Sequence, residues 1–343
     1  MNFAAILVLL LAASASASST GGSSSAASAR QEYLRGTLLE RRGAYAEALA
    51  SYEKALALDP SSAFLAGEAA DLALELEDWP RAETWARRRL ELAPSDGKSQ
   101  MILARVFWSR GLEEEASAAF EAALKLDPAS IDAILALTEL IAPKDPKRVR
   151  AMLDRFLKAN PDHAARVLHE LGKLDAQEAR YPAAVDNLKR AIALDDGLSD
   201  PVRLTLAQVF EVMRDTPAAI AEYRRVLAVM PDDYELWAHI AELEAARGDW
   251  GAARVEFLRI KEKRPGDEVA CAWLAADAER GGDFRRAAEF LKDSSALKDD
   301  PTLHLRVGYY QLQSGGVKDA MLTLRQARKR WPKDDRIAYY LAL

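Results

Sequence analysis

The sequence predicts an all-α chain of stacked antiparallel helix pairs, and three observations carry that prediction. Residues 43–60 (GAYAEALASYEKALALDP) set Ala48, Tyr52 and Ala55 at helical spacing, on one face of one helix. The segment is punctuated at both ends. Gly43 interrupts the preceding helix, and Asp59-Pro60 closes this one, because a residue before proline is pushed out of the α region. The same phrase then returns as residues 79–94 (WPRAETWARRRLELAP) and 111–128 (GLEEEASAAFEAALKLDP), so that Pro60, Pro94 and Pro128 stand 34 residues apart. Such self-similarity marks small helical units that bury their apolar faces only by stacking on neighbours.

Taken in order, the chain opens on a short apolar run, residues 3–13 (FAAILVLLLAA), followed by small-x-small sites at Ala13-Ser14-Ala15 and Ala15-Ser16-Ala17. Residues 1–17 therefore read as a signal peptide, although no Lys or Arg precedes the run. The run is too short to span a bilayer comfortably, and no cysteine follows it to accept a lipid. A retained anchor and a mis-assigned start are the competing readings. Residues 18–28, made of Ser, Ala, Gly and Thr without apolar period, are expected to form a flexible tether.

The repeats occupy residues 29–334. Their ends fall at Pro60, Pro94, Pro128, Pro161, Asp196, Pro231, Pro265, Asp299 and Pro332, in steps of 33 to 35 residues. Loops that adjust by one residue between helices of fixed length account for the drift. Gly43, Gly111, Gly248, Gly282 and Gly316 fall between paired helices, where a positive φ is commonly needed. Pro80, Pro182 and Pro217 fall in the first turn of a second helix, where a missing N–H costs nothing.

Small residues recur at one place in each first helix: Gly36, Ala70, Ala104, Thr138, Gly172, Ala207, Ala241, Ala275 and Gly308. A matching series stands in the second helices: Ala48, Ala82, Ala116, Val149, Ala184, Ala219, Ala253, Ala287 and Ala320. Facing small residues let two helix axes approach closely. Four residues after the second small residue come Tyr52, Phe120, Leu188, Tyr223, Phe257, Leu291 and Leu324, with Ala86 the weak member. In these residues the chain resembles the tetratricopeptide-repeat family. That resemblance implies a right-handed superhelical solenoid of about nine repeats, an array that binds partners rather than an enzyme.

Two repeats depart from the pattern. The fourth has Ala142-Pro143-Lys144-Asp145-Pro146 at its turn and Val149 for alanine, which predicts a local change in the array. The eighth carries Lys292-Asp293-Ser294-Ser295, so its second helix is expected to end early. Residues 335–343 (DRIAYYLAL) read as the start of a further helix or a short terminal one, and their apolar character suits docking on the ninth repeat or on a partner.

Residues that could carry chemistry do not converge. His169-Glu170 begins a zinc-protease motif, but Lys173 stands where the second histidine would be required. The glycine pairs lie in the tether or in repeat turns, and no serine sits in a nucleophile elbow. The single cysteine, Cys271, falls at a position normally packed between helices, and one cysteine forms no intrachain disulfide. The expectation is no catalysis, no cofactor, no metal and no small-molecule substrate. A net charge of -6 with interspersed signs argues against general nucleic-acid binding.

What remains is the face of the first helices, which lines the groove in the tetratricopeptide family. Helical spacing projects Arg30, Tyr33, Lys98, Met101, Arg105, Trp108, Arg166, His169 and Lys173 onto it, with Gln208, Glu211, Glu235 and Glu242 further on. The expected groove is basic with aromatic and methionine contacts early and acidic later, suited to an extended peptide or an acidic polymer crossing its basic half, and the partner expected is a protein or peptide. The asparagines of the chaperone-tail clamp known in the family have no match, since Thr37 and Asp71 stand there. The chain resembles exported bacterial tetratricopeptide scaffolds of polysaccharide secretion, pilus assembly or outer-membrane assembly. That implies a periplasmic or secreted protein whose membrane contact is limited to its N-terminal signal or anchor. A targeting module of a larger enzyme or secretion pore, and a cytoplasmic adaptor, are the alternatives.

Overall fold

The computed structural model describes residues 22–194 and 199–342. All regular structure among them is helical. The helices are α1 (Gly22–Arg41), α2 (Tyr45–Leu58), α3 (Ala63–Glu75), α4 (Trp79–Leu92), α5 (Gly97–Ser109), α6 (Glu113–Leu126), α7 (Ile131–Ile141), α8 (Pro146–Ala159) and α9 (Ala164–Gln177). They continue as α10 (Tyr181–Leu194), α11 (Ser199–Val212), α12 (Thr216–Val229), α13 (Tyr234–Ala246), α14 (Trp250–Lys263), α15 (Glu268–Arg280), α16 (Phe284–Asp293), α17 (Pro301–Gln313), α18 (Val317–Arg330) and α19 (Asp335–Ala342). Odd-numbered helices up to α17 are the first of a pair and even-numbered ones the second. The chain divides into two compact units, the first through Val167 and the second from Leu168.

The pairing follows the small-residue series. All nine second-helix members, from Ala48 to Ala320, are fully buried. A side chain built on Gly36 would meet the Tyr52 ring at 2.5 Å, and one on Gly172 or Gly308 would meet Leu188 or Leu324 at 2.7–2.8 Å. The aromatic or leucine of the second helix thus fills the space that the small residue of the first leaves open. Around these contacts the first unit packs Leu49, Leu56, Leu65, Leu72 and Ile102 into one core. The second packs Phe257 with Leu274, and Leu291 with Tyr310, in its own clusters.

Helix starts are fixed by polar caps that the apolar pattern does not reveal. Ser62, Asp96, Ser130, Asp233, Asp267 and Asp300 cap first helices, each accepting a backbone N–H from the opening turn. Asp78, Asp145, Asp215, Asp249 and Asp283 do the same for second helices. Each such cap contributes about 1 kcal/mol.

Several expectations change. Residues 22–28, read as tether, form the opening of α1. Alanine is the best helix former and the helix propagates backwards from its packed part, with Ala29 buried and the Ser25 hydroxyl donating to the Leu58 carbonyl at 2.8 Å. The expected signal peptide, residues 1–17, lies outside the described residues, as do tether residues 18–21. The positive φ of the ninth turn belongs to Gly315 (φ 82°), while Gly316 is the residue before α18 with φ -83°. Glu77, Ala179 and Arg214 adopt φ near 60° at three of the four turns that lack glycine; the fourth repeat's turn, with Pro143, has no positive φ.

The fourth repeat shortens its first helix, α7, to 11 residues and still buries Val149 completely. In the eighth, α16 stops after 10 residues, and a single 3-10 turn (Ser295–Lys298) follows where other second helices continue. The terminal α19 lies on the ninth repeat: Ile337 is fully buried, with Tyr340 and Leu341 packed beside Leu305 and Leu324.

Candidate functional site

α5 presents Lys98, Met101, Arg105 and Trp108 at intervals of three and four residues, while its buried face holds Ile102, Leu103 and Val106 in the core. Lys98, Met101 and Arg105 line one cleft of ≈ 680 Å³, together with Asp71, Leu74, Arg89, Leu126 and Asp132. Trp108 does not reach it; its half-buried ring meets the Phe120 ring edge-on at 6.1 Å.

The charge of this cleft differs from the projected basic groove. Arg89, Lys98 and Arg105 face Asp71, Asp96, Asp127 and Asp132 across it. First-helix spacing reveals only part of this lining, because Arg89 comes from α4, and Asp96 and Asp127 from turns. Arg89 is drawn to Asp96 at 3.1 Å, which leaves the exposed Lys98 and Arg105 as the cleft's available cations. Partial burial raises the pKa of Asp71 against the pull of Arg89 and Lys98. The cleft thus offers two cations, a thioether and a leucine-lined wall beside a row of carboxylates, which is the chemistry of a peptide site with both signs of charge.

The other projected residues are placed singly. Arg30 is exposed on α1 beside Leu34 and Leu38. Tyr33 is part of the packing, stacked on Tyr52 at 5.6 Å and edge-on to Phe64 at 5.3 Å. Arg166 reaches Asp132 at 4.0 Å within the first unit. His169 and Lys173 belong to the second. The His169 Nε2 lies 3.0 Å from the Thr205 hydroxyl, and burial lowers its pKa; Lys173 pairs with Glu170 at 2.8 Å. Of the later acidic positions, Glu211 accepts from the Tyr223 hydroxyl and stands 2.8 Å from His239.

A second cleft, of about the same size at ≈ 620 Å³, lies in the second unit and was not projected from the sequence. Tyr309, Tyr310, Tyr339 and Tyr340 line it with Arg306 and Arg336. The Tyr310 hydroxyl donates to Glu279 at 2.6 Å and accepts from Arg306 at 2.9 Å, so Arg306 and Tyr310 are held in place. Its signal in the sequence is the pair of adjacent tyrosines at 309–310 and again at 339–340. Cys271 is fully buried, and burial raises its thiol pKa, as suits an inert packing residue. Among the described residues no three His, Cys, Asp or Glu side chains converge as a metal-binding group, and no helix is long and apolar enough to cross a membrane.

Comparison with protein-family models agrees with this architecture. Tetratricopeptide-repeat models match residues 29–62, 68–131 and 204–268. The chain is 26% identical over 241 residues to a peroxisomal targeting signal receptor of Eremothecium gossypii, covering 60% of this chain and 42% of the receptor. It is 20% identical over 193 residues to the human protein O-mannosyl-transferase TMTC1, covering 55% of this chain and 22% of that protein. The chain therefore spans less than half the length of either relative. Among solved structures it is similar to a MamA protein, at 22% identity and a TM-score of 0.42, covering 49% of this chain and 92% of that one.

Proposed function

Since this chain is a tetratricopeptide-repeat protein, we propose that it works without catalysis, as a scaffold holding an extended peptide segment of a partner protein in the α5 cleft. The observation that supports this reading is the cleft itself. Lys98 and Arg105 are exposed and, among the described residues, unspent on ion pairs, and Met101 stands between them on the same face of α5. A methionine adapts to varied apolar side chains, and two flanking cations orient acidic residues of the bound segment. The affinity is built from many modest contacts along first helices rather than from one deep pocket.

In the same proposal the chain is exported and serves in the bacterial envelope, in polysaccharide secretion, pilus assembly or outer-membrane assembly. The apolar run at residues 3–13 with its small-x-small sites supports export. Sequencing the N-terminus of protein recovered from the periplasm tests it: a new terminus near residue 17 is expected, and an intact Met1 in the cytoplasm defeats it.

The cleft is tested by a photoreactive residue in place of Met101 in living cells, alone and combined with Lys98→Glu and Arg105→Glu. One envelope component trapped by the first chain and lost with the second is the expected result. Equal trapping by both chains, with helical content unchanged, would remove the cleft from the mechanism.

A further inference from the structure

A basic surface lies apart from the first-helix face, on the outer side of α18. This helix buries Ala320, Leu324 and Ala327, which share one side. Lys318, Leu322, Arg325 and Lys329 follow at intervals of four, three and four residues, and fall within about 60° of one another on the opposite side. All four are exposed, Leu322 at 59%. None of the three cations has an ion pair or hydrogen bond among the described residues, whereas their neighbours are engaged: Arg328 donates to the Asp334 carbonyl and Arg330 pairs with Asp299 at 2.8 Å.

This stripe is peculiar to α18. The corresponding positions hold Glu53 in α2, Glu91 in α4, Glu114 and Glu121 in α6, Asp154 in α8, Asp186 in α10, Glu262 in α14 and Glu289 in α16. In α12 the only charge there is Arg224, which is committed to Glu244 and Glu256. A chain of net charge -6 has thus cleared one helix face of carboxylates and set three unspent cations along it.

We propose that this face of α18 docks on an anionic lipid bilayer. The stripe is straight and about 16 Å long, a match to a flat surface. Leu322 stands among the cations, so an apolar side chain reaches headgroup depth while they meet phosphates. Single-stranded nucleic acid would reward aromatic side chains for base stacking, and the stripe has none. Each Lys or Arg near an anionic surface raises partitioning about fivefold, an effect confined to a Debye length and therefore weakened by salt.

The test is co-sedimentation of the full chain with phosphatidylcholine vesicles, with and without phosphatidylglycerol. The apolar run at residues 3–13 acts on both vesicle types and in every variant, so the readout is the preference for the anionic ones. The wild-type chain is expected to show that preference at low salt. The Lys318→Ala, Arg325→Ala, Lys329→Ala triple variant should lose at least about tenfold of it with its helical spectrum intact, while Leu322→Ala should lower partitioning to anionic vesicles about threefold and leave most of the preference in place. The charge-reversed triple variant (K318E, R325E, K329E) should bind anionic vesicles less than neutral ones. Equal partitioning of the wild type on both vesicles, or a preference that survives the alanine variant, overturns the proposal.

Discussion

In the first unit α1 and α2 are locked by Tyr52, whose ring occupies the space left by Gly36. In the second, α14 and α15 are joined by Asp277, a buried carboxylate held by Arg254 of α14 and Arg280 of its own helix, each at 2.5 Å. The same device recurs there. Glu222 is held by Arg203 and Arg225, and Glu256 by Arg224 and Arg259, in each case one arginine three residues along the same helix and one from another. Every buried carboxylate among the described residues (Asp175, Glu222, Glu244, Glu256 and Asp277) lies in the second unit, while the buried polar groups of the first are Ser51, Ser99 and Thr138. One repeat pattern therefore tolerates two ways of fixing neighbours. Apolar contacts are indifferent to acid; carboxylate clamps are not.

The apolar side of the comparison carries the largest expected effect. Tyr52→Ala empties a fully packed site, removes the hydroxyl's hydrogen bond to Glu40 (2.6 Å) and should cost about 4 kcal/mol at neutral pH, most of it from the lost ring packing. Hydrogen exchange is the suitable measurement, because a repeat array can lose one part before another. Protection should fall in α1 to α4 and persist in the second unit. Uniform loss along the chain would mean that the two units unfold as one.

The clamp should respond less and with a pH signature. Asp277→Asn is expected to cost about 2 kcal/mol at neutral pH, below the usual figure for a broken buried pair because Arg254 and Arg280 are half exposed. Burial pushes the Asp277 carboxyl up, but the hydrogen bonds and charges of Arg254 and Arg280 outweigh it and hold its pKa below the ordinary value. A lowered folded pKa gives stability that is complete above the unfolded value, near pH 4, and lost as pH falls through the folded one. The gap between the denaturation midpoints of variant and wild type should thus be constant above about pH 4 and shrink as pH falls below it. Glu244 runs the other way. Burial raises its pKa despite Arg224, and its Oε2 has no partner, so protonation relieves it. A difference at Asp277 that stays constant with pH would show that shape, not charge, holds α14 to α15.

The contrast between the units also marks what could be read from the sequence. Periodicity and facing small residues give the helix pairs, because one methyl too many at Gly36 or Gly172 collides with the partner helix. They give nothing about Arg254 and Asp277, which stand 23 residues apart and meet only once α14 lies on α15. The cleft was legible in part for the same reason. Lys98, Met101 and Arg105 share one helix and follow from spacing, while Asp127 and Arg89 enter from a turn and a second helix. The tyrosine cleft needs α19 seated on the ninth repeat, a docking that nine apolar-rich residues leave open among several partners.

Turn geometry should give the smallest effect, and the same one in both units. Glu77, Ala179 and Arg214 hold φ of 56°, 57° and 60°, where Gly43, Gly111, Gly248, Gly282 and Gly315 stand in other repeats. A side chain is strained in this left-handed region, at about 1–2 kcal/mol, while glycine raises the entropy of the unfolded chain by about 0.4–1 kcal/mol. The difference predicts that Glu77→Gly, Ala179→Gly and Arg214→Gly each stabilise by roughly 0.5–1 kcal/mol. The gain should be independent of pH, because no clamp is involved. Denaturant midpoints measured for all three decide the matter. Equal gains at Glu77 in the first unit and Arg214 in the second confine the difference between the units to their interiors. A gain at one and a loss at the other would mean that the contrast extends into the turns, with the Glu77 or Arg214 side chain holding its loop.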